Sequence, residues 1–142
     1  MAVLELSKRI YLKTDNVIEK CNNTKTVYEN NKYLFLDTKQ ECFYCLYLDN
    51  KKNLIERKLL FMGTINKSIV HPREIFKNAY LLSASSVICM HNHPSGDITP
   101  SIDDEVLTSS LKEIGNMQGI PLVDHIIFGN NTYYSFYEDG KI

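Results

Sequence analysis

The chain has 142 residues, of which 44% are hydrophobic and 23% are charged, and its formal net charge at pH 7 is −1. This length and composition are typical of a single globular domain with its own hydrophobic core. The near-neutral charge excludes a general electrostatic attraction to nucleic acid. We expect neither a disulfide framework from the four cysteines nor a signal peptide or membrane span, and hence a reduced, cytoplasmic protein without a membrane partner.

The first quarter of the chain carries the weakest structural signals. Residues 3–13 fit either a strand or a short helix, and asparagines at 22–23 and 30–31 indicate turns. We therefore divide the chain into an N-terminal extension, residues 1–32, and a domain that covers residues 33–142.

A β-hairpin is predicted at the start of this domain. Residues 42–48 form an apolar run typical of a buried strand, residues 49–53 have turn composition, and residues 54–61 form the partner strand. A brief strand is predicted at 68–70. A helix then begins at His71-Pro72, because proline is favoured in a first helical turn, and its apolar stripe comprises Ile75, Phe76, Ala79, Tyr80 and Leu82.

The second half of the domain contains a buried strand at 86–90, a loop, and a helix over about 102–117. The predicted buried side of this helix is Ile102, Val106, Leu107, Leu111, Ile114 and Met117. Gly119 ends the helix, and Pro121 prevents its continuation. Residues 122–128 and 132–137 form a hairpin around a turn at 129–131. Strand hairpins at both ends with helices between them predict an α/β (α+β) sandwich with a mixed sheet.

Two histidines follow the strand at 86–90. His91 and His93 are two residues apart in an extended segment, so their side chains point to the same side and can share one ion. Asp104 lies eleven positions after His93, in the first turn of the helix. Two imidazoles, a carboxylate and an open position for water make a catalytic zinc site. The sequence therefore predicts Zn²⁺ bound by these three residues beyond the carboxyl end of a buried strand, where α/β folds bind ligands.

These residues also have structural alternatives. The two histidines could cap backbone groups in a turn. Ser101 and Asp104 resemble a capping box, and a carboxylate that completes a cap is not easily a metal ligand as well. Asp103, which points about 100° away around the helix, and Asp97, in the loop, are minor alternative ligands.

The motif resembles a known signature. His-x-His, ten further residues and then Asp, with Ser three positions before that Asp, is similar to the JAMM signature of the MPN-plus metallopeptidases. The string His-Asn-His-Pro-Ser-Gly-Asp and the flanking segments 61–66, 70–74, 124–127 and 134–136 resemble the RadC branch of this JAB/MPN superfamily. The resemblance spans residues 40–142 and implies an MPN/JAB-like, cytidine-deaminase-like fold in which helices flank a mixed β-sheet.

The resemblance also implies a zinc metallopeptidase or isopeptidase with a peptide or isopeptide-linked protein as substrate. In JAMM-type enzymes a glutamate before a neighbouring strand is the general base, and Glu41 matches that place; Glu56 and Glu74 are the alternatives. The matching serine, Ser101, would help to bind the water or the developing oxyanion. Phosphodiester hydrolysis is disfavoured, because a single metal set falls short of the usual two-metal clamp.

RadC-like proteins carry a DNA-repair label and, at full length, a helix-hairpin-helix module, for which 142 residues leave no room. The alternative function is therefore a DNA-repair-associated binding module with a structural or vestigial zinc site, although the charge does not support DNA as a partner. The oligomeric state is left open.

The remaining cysteines and histidines are assigned to the framework. Cys42 and Cys45 face opposite sides of a strand and are predicted core residues. Cys89 points to the same side as His91 and is also expected in the core. His125 is predicted to be a hydrogen-bonded core histidine, with a supporting position behind the metal as the alternative. His71 is predicted to be a loop residue before a helix.

Overall fold

The computed structural model describes residues 17–63 and 70–142. In chain order its elements are helix α1 (Thr24–Asn31), a 3-10 helix (Lys32–Phe35), strands β1 (Glu41–Leu48) and β2 (Leu54–Gly63), helix α2 (Pro72–Leu81), strand β3 (Ser86–Asn92), helix α3 (Ile102–Gln118), and strands β4 (Leu122–Phe128) and β5 (Tyr133–Ser135). The segment predicted at 3–13 and positions 68–69 of the brief strand lie outside the described residues.

One five-stranded sheet, in the order β2-β1-β3-β4-β5, organises the domain. β1 pairs antiparallel with β2 and with β3, β3 pairs parallel with β4, and β4 pairs antiparallel with β5. The parallel pair requires a crossover, which α3 provides. This mixed sheet, with the three α-helices of the described residues, confirms the predicted α+β class and its single domain.

Successive side chains of a strand point to opposite faces of the sheet, so the core has two layers. One face packs against α2 and α3 through residues that include Phe43, Cys45, Tyr47, Val87, Cys89, Ile75, Phe76 and Leu111. The other face packs against α1 through residues that include Leu46, Leu48, Ile88, Met90, Ile126, Val27 and Tyr28. His91 follows Cys89 by two residues and so lies on the face that α3 covers. The cysteines at 42, 45 and 89 are all buried, as predicted.

Helix α1 lies within the stretch that was assigned to the N-terminal extension. Its Asn23 cap accepts a hydrogen bond from the backbone of Thr26 at 2.8 Å, and Val27 and Tyr28 pack into the core. None of the helices in the described part of the chain combines the length and the apolar character needed to cross a membrane.

The buried side of α3 differs from the predicted one. Three of the six predicted core residues are exposed, namely Ile102, Val106 and Met117, while Leu107 and Ile114 are partly buried against the core. The buried residues are Thr108, Leu111 and Gly115. A Cβ atom on Gly115 would lie 2.5 Å from the carbonyl oxygen of Ile120, so the helix backbone packs directly against the following loop. This close approach, which requires glycine, sets the rotation of the helix.

Two further predictions are wrong in detail. Tyr80 is 61% exposed, because it is one residue, or about 100° of helix, away from Ala79, which faces the core. The return strand after the last turn is shorter than 132–137 and ends at Ser135. The chain turns there because the Ser135 hydroxyl accepts a hydrogen bond from the backbone of Glu138 at 3.0 Å.

The buried carboxylate of Asp124 ties three segments together. Its Oδ1 accepts hydrogen bonds from the backbone N–H groups of His125 (2.7 Å) and Tyr137 (3.1 Å). Its Oδ2 accepts from the hydroxyls of Thr24 (2.8 Å), at the start of α1, and Ser135 (2.7 Å), at the end of β5. Burial raises the pKa of this carboxyl, and the four donors oppose that shift.

We predict that Asp124→Ala lowers the free energy of unfolding by about 2–4 kcal/mol, because it leaves several buried donors unpaired and each costs roughly 1–3 kcal/mol. Urea denaturation measures the change. Glu113→Ala, at an exposed position of α3, is the control and should stay within about 0.5 kcal/mol of the parent chain. Similar losses in both variants would contradict the structural role of Asp124.

Candidate metal centre

His91 and His93 stand at the end of the central strand. His91 is buried and pairs with Phe43 of β1 on one side and Ile127 of β4 on the other. The backbone N–H of His93 donates to the carbonyl of Phe128 at 3.0 Å, which prolongs the parallel pairing by one residue. Both imidazoles therefore project beyond the carboxyl ends of two parallel strands.

The loop after His93 reverses the chain over the turn between β4 and β5. The Gly96 N–H donates to the His93 carbonyl at 2.9 Å, and Gly96 has a left-handed φ of 87°. The loop lies against Gly129, where a Cβ atom would approach the Gly96 carbonyl oxygen to 2.7 Å and the Ile98 side chain to 2.5 Å. Glycine at 129 thus lets the loop fold down and bring the start of α3 to the histidines.

Asp104 meets both histidines from this helix start. Its Oδ1 lies 3.2 Å from His91 Nε2, its Oδ2 lies 3.1 Å from His93 Nε2, and the two Nε2 atoms are 3.1 Å apart. Ligand atoms placed 2.0–2.1 Å from zinc at tetrahedral angles are about 3.3 Å from one another. The observed separations are close to that edge length, so the three side chains could bind one metal ion.

The carboxylate of Asp104 caps its helix and contacts the histidines at once. Its Oδ2 accepts from the Ser101 backbone N–H at 2.9 Å, and the Ser101 hydroxyl accepts from the Asp104 N–H at 3.1 Å, which completes a capping box. The predicted capping box is therefore present, and Oδ1 nevertheless stays directed at His91. Asp103 is exposed, and the Asp97 carboxylate accepts hydrogen bonds from Thr99.

The protonation chemistry of these side chains favours a cation. The Asp97 carbonyl, 2.7 Å from His93 Nδ1, can only accept a hydrogen bond, so Nδ1 of a neutral His93 carries the proton and Nε2 presents its lone pair. The hydrogen bond with Asp104 raises the pKa of His93, against the effect of burial. Burial alone would raise the pKa of Asp104, but its contacts with His91 and His93 outweigh burial and hold that pKa well below its usual range. Lone pairs that converge this closely need a proton or a metal ion between them, and two imidazoles with one carboxylate suit zinc.

Comparison with known proteins agrees with the motif. A family model for the RadC-like JAB domain matches residues 21–141. The chain belongs to the RadC-like JAB domain family. It is 46% identical over 144 residues to a UPF0758 protein of Listeria monocytogenes and 44% identical over 146 residues to a UPF0758 protein of Geobacillus thermodenitrificans. These alignments cover 99% and 100% of the chain but 62% and 63% of the relatives, so the chain spans less than two thirds of their length.

Glu41 is the sequence-predicted base that this RadC-like JAB domain brings next to the histidines. Its Oε1 lies 4.0 Å from His91 Nε2, and its side chain is 12% exposed. Because β1 runs antiparallel to β3 and Phe43 pairs with His91, the start of β1 falls beside the end of β3. Glu56 of β2 pairs with Tyr47, which lies four residues after Phe43 in β1. Glu74 lies in the first turn of α2, whose cap is His71.

Asn92 is a residue of the site that the sequence analysis missed. Its side chain accepts from the Cys42 N–H at 2.7 Å and donates to the Gln40 carbonyl at 3.0 Å. These two backbone groups flank Glu41, so the amide between the two histidines also fixes the start of β1. The signal in the sequence was the amide side chain of Asn92 at the end of a strand. It lies between two histidines that share a side, so it points to the opposite side.

His125 and Thr108 lie behind His91. The Nε2 atom of His125 is 2.9 Å from His91 Nδ1, and its Nδ1 atom is 2.6 Å from the Thr108 hydroxyl. Burial lowers the pKa of His125, and the nearby His91 lowers it further, so the ring is neutral. The prediction of a hydrogen-bonded core histidine is confirmed, and the alternative, a supporting position behind the metal, stays a prediction. Thr108 was missed, although it lies one helical turn after Asp104 on the same side of α3.

We predict that Asp104→Asn weakens zinc binding by more than the roughly 10–100-fold typical of changes behind a metal ligand. The amide oxygen can still accept from Ser101, so the helix cap remains while the negative charge is lost. Competition with a chromogenic chelator measures the affinity. Asp103→Asn, which changes the neighbouring exposed carboxylate, should bind zinc as the parent chain does; equal losses would show that Asp104 is not the ligand.

Proposed function

We propose that this chain is a zinc-dependent metallohydrolase of the JAMM type that cleaves a peptide or isopeptide bond. The observation that carries the proposal is the convergence of His91, His93 and Asp104 within 3.2 Å, with the Glu41 carboxylate 4.0 Å from His91 Nε2. Membership of the family supports this proposal, since the residues that match the JAMM signature are the ones whose side-chain atoms converge. The four free, buried thiols support a reducing, cytoplasmic setting.

The three converging side chains would hold the ion through two imidazole nitrogens and one carboxylate oxygen. When bound, zinc supplies a Lewis acid that lowers the pKa of water from 15.7 to about 7. The buried His91 ring stacks on the ring of Phe43; the two centroids are 5.8 Å apart and the interplanar angle is 13°. His93 is half-buried, so the site opens to solvent on the side of the loop that follows His93, where a substrate can approach.

We assign proton transfer to Glu41. Its carboxylate would take a proton from the attacking water and deliver it to the amine nitrogen that leaves the cleaved bond. General acid–base catalysis of this kind contributes about 10²–10⁴-fold. The Asn92 side chain supports the assignment, because it fixes the backbone on both sides of Glu41.

We assign the stabilisation of negative charge on the substrate to Ser101. Its hydroxyl oxygen accepts from the Asp104 N–H, so the hydroxyl proton is left to donate to another group. The side chain is exposed at the first turn of α3, beside the Asp104 carboxylate. A hydrogen bond from this hydroxyl to the carbonyl oxygen of the substrate would strengthen as that oxygen becomes negative.

We predict that Glu41→Gln retains zinc and the fold but lowers turnover by about 10²–10⁴-fold, because the amide is nearly isosteric and cannot accept the proton. The measurement needs a substrate, found by incubating zinc-loaded protein with peptides and isopeptide-linked proteins and detecting new amino termini or released lysine side chains. Turnover of that substrate by the variant and the parent chain is then compared at matched zinc content.

Glu56→Gln is the matched control, since Glu56 pairs with Tyr47 away from the histidines. We expect it to keep the parent turnover. If Glu41→Gln cleaves the substrate at the parent rate, Glu41 is not the base. If the zinc-loaded protein cleaves no amide or isopeptide bond, the hydrolase proposal fails and a binding module becomes the better description.

A further inference from the structure

We propose that Thr108 and His125 are positioning residues that hold His91 with its Nε2 lone pair directed at the metal. They do so through a directed chain of hydrogen bonds that runs from His91 through His125 and Thr108 to the backbone of Asp104. This inference rests on the proposed zinc site and identifies two residues that determine its affinity.

The direction of this series of hydrogen bonds is set at Thr108. The Thr108 hydroxyl lies 2.7 Å from the backbone carbonyl oxygen of Asp104 and 2.6 Å from His125 Nδ1. A carbonyl oxygen can only accept, so the single hydroxyl proton of Thr108 is donated to Asp104. The hydroxyl oxygen then accepts from His125, which places the proton of the neutral His125 ring on Nδ1.

This direction passes on to His91. With its proton on Nδ1, His125 has a lone pair on Nε2, which lies 2.9 Å from His91 Nδ1. That contact is a hydrogen bond only if His91 donates from Nδ1, and a neutral His91 then has its lone pair on Nε2. His91 Nε2 is the atom that faces His93 and Asp104. The Asp97 carbonyl fixes His93 in the same tautomer by a single contact.

Burial keeps other partners away from this series of hydrogen bonds. Thr108 is 3% exposed and His125 is fully buried, so water does not compete for their hydrogen bonds. The His125 ring packs between Phe136, with a centroid distance of 5.1 Å and an interplanar angle of 13°, and Phe43, at 5.7 Å. Because this series of hydrogen bonds ends on the backbone of Asp104, it connects His91 to Asp104 through α3.

The test compares Thr108→Val with Thr108→Ser. Valine has nearly the shape of threonine without the hydroxyl, whereas serine keeps the hydroxyl and loses a methyl group. We expect the valine variant to bind zinc about 10–100-fold more weakly than the parent chain, the range typical of residues that orient a metal ligand. The serine variant should stay within about threefold of the parent chain, because it retains the hydrogen bond that directs His125. Chelator competition gives the affinities.

Two further measurements keep the outcome decisive. Thermal melting of the metal-free variants shows whether the valine protein is folded, and the proposal is overturned if a folded valine variant binds zinc like the parent chain. In the zinc-loaded parent chain, ¹⁵N NMR of the imidazoles should show the His125 proton on Nδ1; a proton on Nε2 would overturn it without any variant. A parent chain that binds no zinc would instead refute the proposed function itself, so the two failures are distinguishable.

Discussion

The contact of the Asp104 carboxylate with two imidazole nitrogens is the interaction on which the architecture of the site depends. These three groups come from a strand end and from a helix start that a loop of several residues separates. They meet because Gly96 adopts a left-handed turn, Gly129 lets the loop lie flat, and Ser101 caps α3 so that Asp104 points back at β3. The carboxylate completes the helix cap and still directs an oxygen at the site, so one side chain both caps α3 and contacts the histidines.

The sheet supplies the groups around this contact by its topology. β3 is central, and both neighbouring strands contribute residues beside His91. The antiparallel neighbour β1 begins where β3 ends, which brings in Glu41, and the parallel neighbour β4 carries His125 against the opposite ring nitrogen. In this mixed sheet the start of one neighbour and the interior of the other lie near the end of the same strand. The fold thereby places a carboxylate on one side of His91 and a second imidazole on the other.

Local patterns predicted the strands, both main helices and the histidine pair, because alternation, helix caps and i, i+2 spacing are local properties of the sequence. The position of Glu41 came only from family resemblance, since 50 residues of chain separate it from His91. The buried side of α3 could not be predicted from hydrophobicity, because the helix turns Thr108 and Gly115 inward and leaves Ile102 exposed. Thr108 and Asn92 were missed because His125, which contacts Thr108, and the backbone groups that bind Asn92 are distant in sequence, and no local period marks them.

The central claim is that His91, His93 and Asp104 bind one metal ion through atoms that already converge. Anomalous X-ray scattering above and below the zinc absorption edge, on crystals of zinc-loaded protein, tests it most directly. We expect one anomalous peak per chain, about 2.0–2.2 Å from both Nε2 atoms and from an Asp104 carboxylate oxygen. A peak on the cysteine thiols, or no peak at the end of β3 in crystals that contain stoichiometric zinc, would contradict it.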